Sequence, residues 1–143
     1  MSKKEQSNPR IPSPVRFTLS KSHILRGRRN FKRLFESSSL ITSATVNLRY
    51  STFSKSDKGL CIGFIAPKRL GDAVERNHIK RLMREAYRLN QYIISDYLSE
   101  AGCGLHAVFM AKKDNLDYKA VEADIVMLLN KLHTRLLSIQ SHF

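Results

Sequence analysis

Arg76, Asn77, Lys80, Arg81, Arg84 and Arg88 are the residues of this chain whose chemistry and spacing coincide. Guanidinium groups grip phosphate oxygens bidentately, and a carboxamide can donate and accept at a base edge or a ribose hydroxyl. With Arg76 as origin and about 100° per residue, Lys80, Arg84, Asn77, Arg88 and Arg81 fall within an arc of about 140°. Leu89, Leu82, Ile93, Ala86, Ile79 and Met83 take the other side. Tyr87 falls at the boundary, and Glu85 is the nearest acid. A face that serves only solvation mixes its signs, because opposite charges at i, i+4 stabilise a helix and like charges oppose it. Arg76-Lys80-Arg84-Arg88 repeats like charge at every i+4 step, which costs a few tenths of a kcal/mol per pair. Such a face suits a polyanion better than it suits the helix itself.

The elements that must position these residues are legible around them. Pro67-Lys68-Arg69-Leu70-Gly71-Asp72 leads into the helix, with Gly71 freeing the backbone to turn and Asp72 suited to cap the N-terminus. Lys68 and Arg69 then flank the start of the basic arc. The helical pattern runs from Ala73 to about Tyr97 and is the longest in the chain. Before it, Val46–Tyr50 alternates as a strand, with Asn47 and Arg49 on its polar face. Leu60–Ala66 is nearly continuous in apolar residues and reads as a central strand. A turn at 55–59 would join these two strands as an antiparallel hairpin. Earlier still, Gly27 can cap a short helix over 28–36, in which Phe31 and Phe35 stand at i, i+4 beside Leu34. After the basic helix come a strand, Leu105–Ala111, and a final helix capped by Asp117. The latter carries Val121, Ile125, Leu128, Leu129, Leu132 and Leu136 on one face. The order helix, strands, helix, strand, helix predicts a single α/β or α+β domain.

Composition narrows the function classes. The chain has 143 residues, with 25 Lys+Arg against 12 Asp+Glu and a net charge of +13. Nearly all of that excess lies in residues 1–90, and beyond them acids and bases balance. A positive field so localised attracts nucleic acid or an anionic membrane surface. No apolar run approaches the ~18 residues of a membrane span, and no apolar segment of signal-peptide type follows the basic start. The expectation is therefore a cytoplasmic protein with no membrane partner. Residues 1–16 hold three of the prolines and almost no apolar side chains, so they read as a disordered basic arm ahead of a single domain over 17–143. Cys61 and Cys103 form neither a disulfide framework nor a metal-ligand spacing. The five histidines and twelve acids are dispersed, which predicts no catalytic residue and no metal ligand, and His106 and His133 read as structural or surface residues. A protein nuclease would need clustered carboxylates or a His/acid constellation.

The run Lys68-Arg69-Leu70-Gly71-Asp72-Ala73-Val74-Glu75-Arg76-Asn77-His78-Ile79-Lys80-Arg81-Leu82-Met83-Arg84-Glu85-Ala86-Tyr87-Arg88 resembles the signature of the bacterial ribonuclease P protein component. That family carries a basic pair, a Gly, an Ala-Val step and an Arg-Asn-Arg-hydrophobic-Lys-Arg helix. Ala73, Arg76, Asn77, Lys80 and Arg81 stand at the matching spacing. Leu25 and Phe31-Lys32-Arg33-Leu34-Phe35 are similar to the family's first-helix pattern, and a looser likeness extends over most of 23–137. His78 stands where the family usually has Arg or another basic residue, so an imidazole replaces a permanent charge.

The resemblance implies an α-β-β-β-α-β-α sandwich on a four-stranded sheet, with a left-handed βαβ crossover against the usual hand. Leu40 and its neighbours would then supply the fourth strand. It implies a protein subunit that assists removal of the 5′ leader from precursor transfer RNA, with catalysis and most of the Mg²⁺ on a separate RNA subunit. The catalytic RNA would be held by Lys68, Arg69, Arg76, Asn77, His78, Lys80, Arg81, Arg84 and Arg88. The leader would lie in a cleft between the first helix and the sheet, lined by Arg28, Phe31, Lys32, Phe35 and Arg49. Stacking beside cations is the common way to hold single-stranded RNA, yet Phe31 and Phe35 read equally well as core. The protein would be a monomer in a 1:1 ribonucleoprotein. The competing reading is a structural RNA-binding protein of ribosomal type, which would share the charge and the helix.

Overall fold

A computed structural model describes residues 24, 32, 34, 36, 38–54, 60–101 and 103–140. Four strands, β1 (Ser39–Thr42), β2 (Val46–Ser54), β3 (Leu60–Ile65) and β4 (Cys103–Ala111), form one sheet in the order β1-β2-β4-β3. Three helices follow the third and fourth strands: α1 (Ala73–Asn90), α2 (Tyr92–Ala101) and α3 (Tyr118–Gln140). Lys32, Leu34 and Glu36 are helical too, ahead of β1. The expected mixed α+β sandwich is therefore present, and the Leu40 segment is its fourth strand, with Leu40 opposite Arg49. The N-terminal arm, Gly27 and the 55–59 turn lie outside the described residues.

Strand pairing departs from the sequence reading at one place. β2 and β3 form no hairpin, because β4 lies between them, antiparallel to β2 and parallel to β3. All nine residues of β2 pair with β4, from Val46 opposite Ala111 to Ser54 opposite Cys103. Parallel neighbours need a long crossover, and α1 and α2 provide it. β3 is thus the last strand of the sheet and not a central one; among the described residues its outer side meets an isolated bridge from Ile24 to Ile62. Its apolar run has another cause, namely that both of its faces are covered. Ile62 is buried in the main core, while Cys61 and Ile65 pack with Leu34 and Val108 on the opposite face. Hydrophobicity reports covered faces and says nothing of flanking strands.

The main core lies between the sheet and α1–α3. Val46, Leu48 and Tyr50 of β2 and Leu105, Ala107 and Phe109 of β4 meet all six apolar residues expected on the last helix. The other sheet face carries Asn47 and Arg49 of β2 and His106 and Val108 of β4, with Leu34 buried against it. His106 is buried, and His133 stands edge-on to Tyr97 at 5.4 Å between ring centroids.

The helix expected to run from Ala73 to Tyr97 is two helices divided at Gln91. The Asn90 Nδ2 group donates to the Ala86 carbonyl at 2.8 Å, and Gln91 Nε2 donates to the Arg88 carbonyl at 3.0 Å. These amides compete with the backbone for the carbonyls of the last turn, so the ladder ends and restarts.

A hydrogen-bonded turn links β1–β2 to the far layer. The Thr45 amide and hydroxyl both donate to Asp124 Oδ2 of α3, the amide at 2.9 Å, and the Lys112 amide donates to the Thr45 carbonyl at 2.8 Å. Thr45 is buried, so removal of the carboxylate leaves two donors unmatched. We expect D124A to lower stability by about 1–3 kcal/mol in urea denaturation. A loss below about 0.5 kcal/mol, the range of ordinary surface changes, would show that Asp124 does not anchor the turn.

Candidate nucleic-acid interface

The entry into α1 is built by local rules. A single 3-10 turn at Lys68–Leu70 buries Leu70 and leaves Lys68 and Arg69 exposed. Gly71 follows at φ +142°, and a Cβ placed there would stand 2.5 Å from Glu75 Oε1. Glycine is thus required by its dihedral, and a side chain there would in addition push the Glu75 carboxylate out of the position it holds. Asp72 caps the helix as expected and does so reciprocally. The Glu75 amide donates to Asp72 Oδ1 at 2.9 Å, and the Asp72 amide donates to Glu75 Oε1 at 3.1 Å. This capping box occupies the two acids closest to the start of the basic face.

Burial selects which residues of α1 meet solvent. Ile79, Met83, Ala86 and Tyr87 are buried, whereas Asn77, His78, Arg81 and Arg84 are exposed. Arg76 and Lys80 are half-buried on one flank, and Arg88, within the stripe, is half-buried beside Glu85. The exposed stripe centres on Arg81, about 70° around the helix from the centre of the expected arc.

Tyr87 causes the shift. Placed at the boundary by the helical wheel, it is fully buried in a three-ring cluster with Phe64 of β3 (6.1 Å) and Phe109 of β4 (5.8 Å). The sheet leaves a space there that a wheel cannot show. Burial pushes the Tyr87 phenol well above its ordinary range, and its hydroxyl meets no hydrogen-bond partner among the described residues.

The cations are not equivalent. Arg88 Nε donates to Glu85 Oε2 at 2.7 Å, and its guanidinium is also ion-paired with that carboxylate, which offsets its charge. Arg69 Nη2 donates to the Lys112 carbonyl at 3.1 Å, so it ties the helix entry to the end of β4. The Arg84 guanidinium lies over the Phe64 ring, 5.7 Å from its centroid. Arg76 buries its Nε with no partner among the described residues. Sequence reasoning missed Phe64 and Lys112. The Lys112-Lys113 pair after β4 was a visible signal for the second, but nothing in the sequence ties Phe64 to Arg84.

The residues expected to line a cleft are divided. Arg49 is half-buried on the sheet face opposite α1, across from Val108, and Lys32 is exposed on the helical segment whose Leu34 packs there. Arg28, Phe31 and Phe35 lie outside the described residues. Among the described residues no group of three or more His, Cys, Asp or Glu could hold a metal ion, and no helix is long and apolar enough to cross a membrane.

The buried Tyr87 hydroxyl permits a sharp test of this seating. We expect Y87F to raise stability by about 1 kcal/mol in urea denaturation, because it removes an unsatisfied donor, and to leave nucleic-acid affinity unchanged. A loss of stability would instead place a partner, such as an internal water, on that hydroxyl.

Comparison with known proteins bears on the whole arrangement. The family model described as Ribonuclease P matches residues 19–133. The ribonuclease P protein component of Porphyromonas gingivalis (strain ATCC 33277) is 34% identical over 115 residues, which covers 78% of this chain and 84% of that protein. The ribonuclease P protein from Thermotoga maritima has the same fold, with a TM-score of 0.61 at 23% identity over 76% of this chain and 96% of that one. The Staphylococcus aureus protein gives 0.61 at 16% identity, over 77% and 94%. A basic helix with the expected capped entry, set on this four-stranded sheet and matched over residues 19–133, places the chain in the ribonuclease P protein component family.

Proposed function

We propose that this chain works by holding two RNA surfaces together, one on each side of its sheet. As a ribonuclease P protein component it is a subunit of an endoribonuclease and acts in the processing of transfer RNA 5′ leaders, with the RNA subunit and the substrate as its partners. The ribosomal-type alternative is not favoured. The single observation that carries the mechanism is the exposed stripe of Asn77, His78, Arg81 and Arg84 on a helix whose nearby acids, Asp72 and Glu75, are bound in a cap.

In this reading the stripe, with Lys68, Arg69, Arg76 and Lys80 beside it, neutralises phosphates of the catalytic RNA and releases their counterions. Arg88 contributes less because Glu85 already pairs with it. Arg49 and Lys32, with Arg28, Phe31 and Phe35, hold the single-stranded leader on the opposite side. The chain supplies no catalytic group. Catalysis and most of the Mg²⁺ are assigned in this reading to the RNA subunit of a 1:1 cytoplasmic complex. Fixed cations that lower phosphate repulsion replace part of the diffuse ion requirement, so the protein should help most when Mg²⁺ is scarce.

Reconstitution with the cognate ribonuclease P RNA tests this directly. At low Mg²⁺, adding the protein should raise cleavage of leader-bearing precursor or its affinity; no rise in either would overturn the reading. The arginines can be ranked by salt titration of RNA binding. R81A should flatten the slope of log K against log salt by about 0.7–0.9, one phosphate contact, and R88A by less. Equal slopes for wild type and R81A would remove Arg81 from the phosphate contacts.

A further inference from the structure

We propose that Phe64 is a positioning residue for RNA binding: its ring holds the Arg84 guanidinium in place to meet a phosphate. The inference rests on the reading of the α1 stripe as an RNA surface and adds a residue from another element to it. Phe64 belongs to β3, and its ring stacks on Phe109 of β4 at 5.9 Å with 12° between planes, while Tyr87 tilts against it at 6.1 Å. It is therefore held from two sides by buried aromatic rings. Phe64 itself is half-buried and presents its ring to Arg84, whose guanidinium lies over it at 5.7 Å.

This arrangement has a chemical consequence. A cation over an aromatic face is attracted by the ring quadrupole. An aromatic ring carries no net charge, so, unlike the Glu85 carboxylate beside Arg88, it holds the guanidinium without neutralising it and leaves its charge for a phosphate. An exposed Arg on a helix otherwise loses rotamer freedom when it docks. Arg84, held over a ring that is itself packed on Phe109 and Tyr87, has lost part of that freedom already. Lys at this position would keep the charge and lose the planar fork.

The test is a double-mutant cycle in affinity for the cognate ribonuclease P RNA, with thermal stability measured for every protein. We expect F64M, which fills the space without a ring, to weaken binding about two- to five-fold and to leave the salt slope unchanged. F64Y should bind as wild type, because it keeps the ring. In an R84A background, F64M should cost nothing further. Loss of the same factor with and without Arg84 would show general damage to the fold and overturn the proposal, as would wild-type affinity for F64M. Wild-type affinity for R84A would overturn it differently, by removing Arg84 from the RNA surface while leaving Asn77 and Arg81 to be judged by their own variants. If F64M is poorly folded, F64Y against R84K decides: the proposal requires F64Y to bind as wild type and R84K to lose affinity, and either failing overturns it.

Discussion

The seating of α1 on the sheet through Tyr87, Phe64 and Phe109 is the constraint on which the rest of the molecule depends. Three rings with centroids about 6 Å apart join the helix to β3 and β4 and leave little freedom to rotate it. Rotation matters because a helix presents a different set of side chains for every residue of turn. With Tyr87 inside, Ile79, Met83 and Ala86 are buried, and the stripe from Asn77 to Arg84 is the one left in solvent. The cluster buries a polar hydroxyl to do this. That is the kind of local cost a fold retains when a larger packing gain requires the ring.

Around that stripe the acids are already engaged. Asp72 and Glu75 close the capping box, Glu85 holds Arg88, and Asp124 holds Thr45. Glu122 accepts from Asn90 and Tyr118, and burial followed by the Glu122 carboxylate raises the Tyr118 phenol above its ordinary range. Each of these carboxylates stabilises backbone or neighbouring side chains, so none is directed at the exposed arginines. A surface can therefore be strongly attractive to phosphate even though acids are close in sequence.

The sheet separates two chemistries. One face packs α1–α3, whose outer surface bears the basic stripe. The other carries Arg49 and receives the helical segment through Leu34 and Val108. Placing β4 between β2 and β3 makes this possible. The parallel β3–β4 pair demands a crossover, and the crossover is the basic helix itself. A β2–β3 hairpin would have imposed no such connection.

Much of this was legible in the residues. The capped entry at Asp72, the glycine before it, the apolar face of α3 and the alternation of β2 follow from local geometry, which acts over one or two turns and leaves its mark in spacing. The partner class followed from charge, and the family from the run between Lys68 and Arg88. Three things did not follow. The break at Gln91 depends on side-chain amides that could equally have faced solvent. The place of β4 depends on pairing between strands far apart in the chain, where adjacency suggested a hairpin. The burial of Tyr87, and with it the support Phe64 gives Arg84, depends on a space formed only when helix and sheet meet. Sequence by itself determined most of the elements, the capped start of the basic helix and the charge they carry, because those are short-range matters. Which strands are neighbours, and which arginines are offered, was decided by tertiary packing, because only packing brings distant residues to one surface.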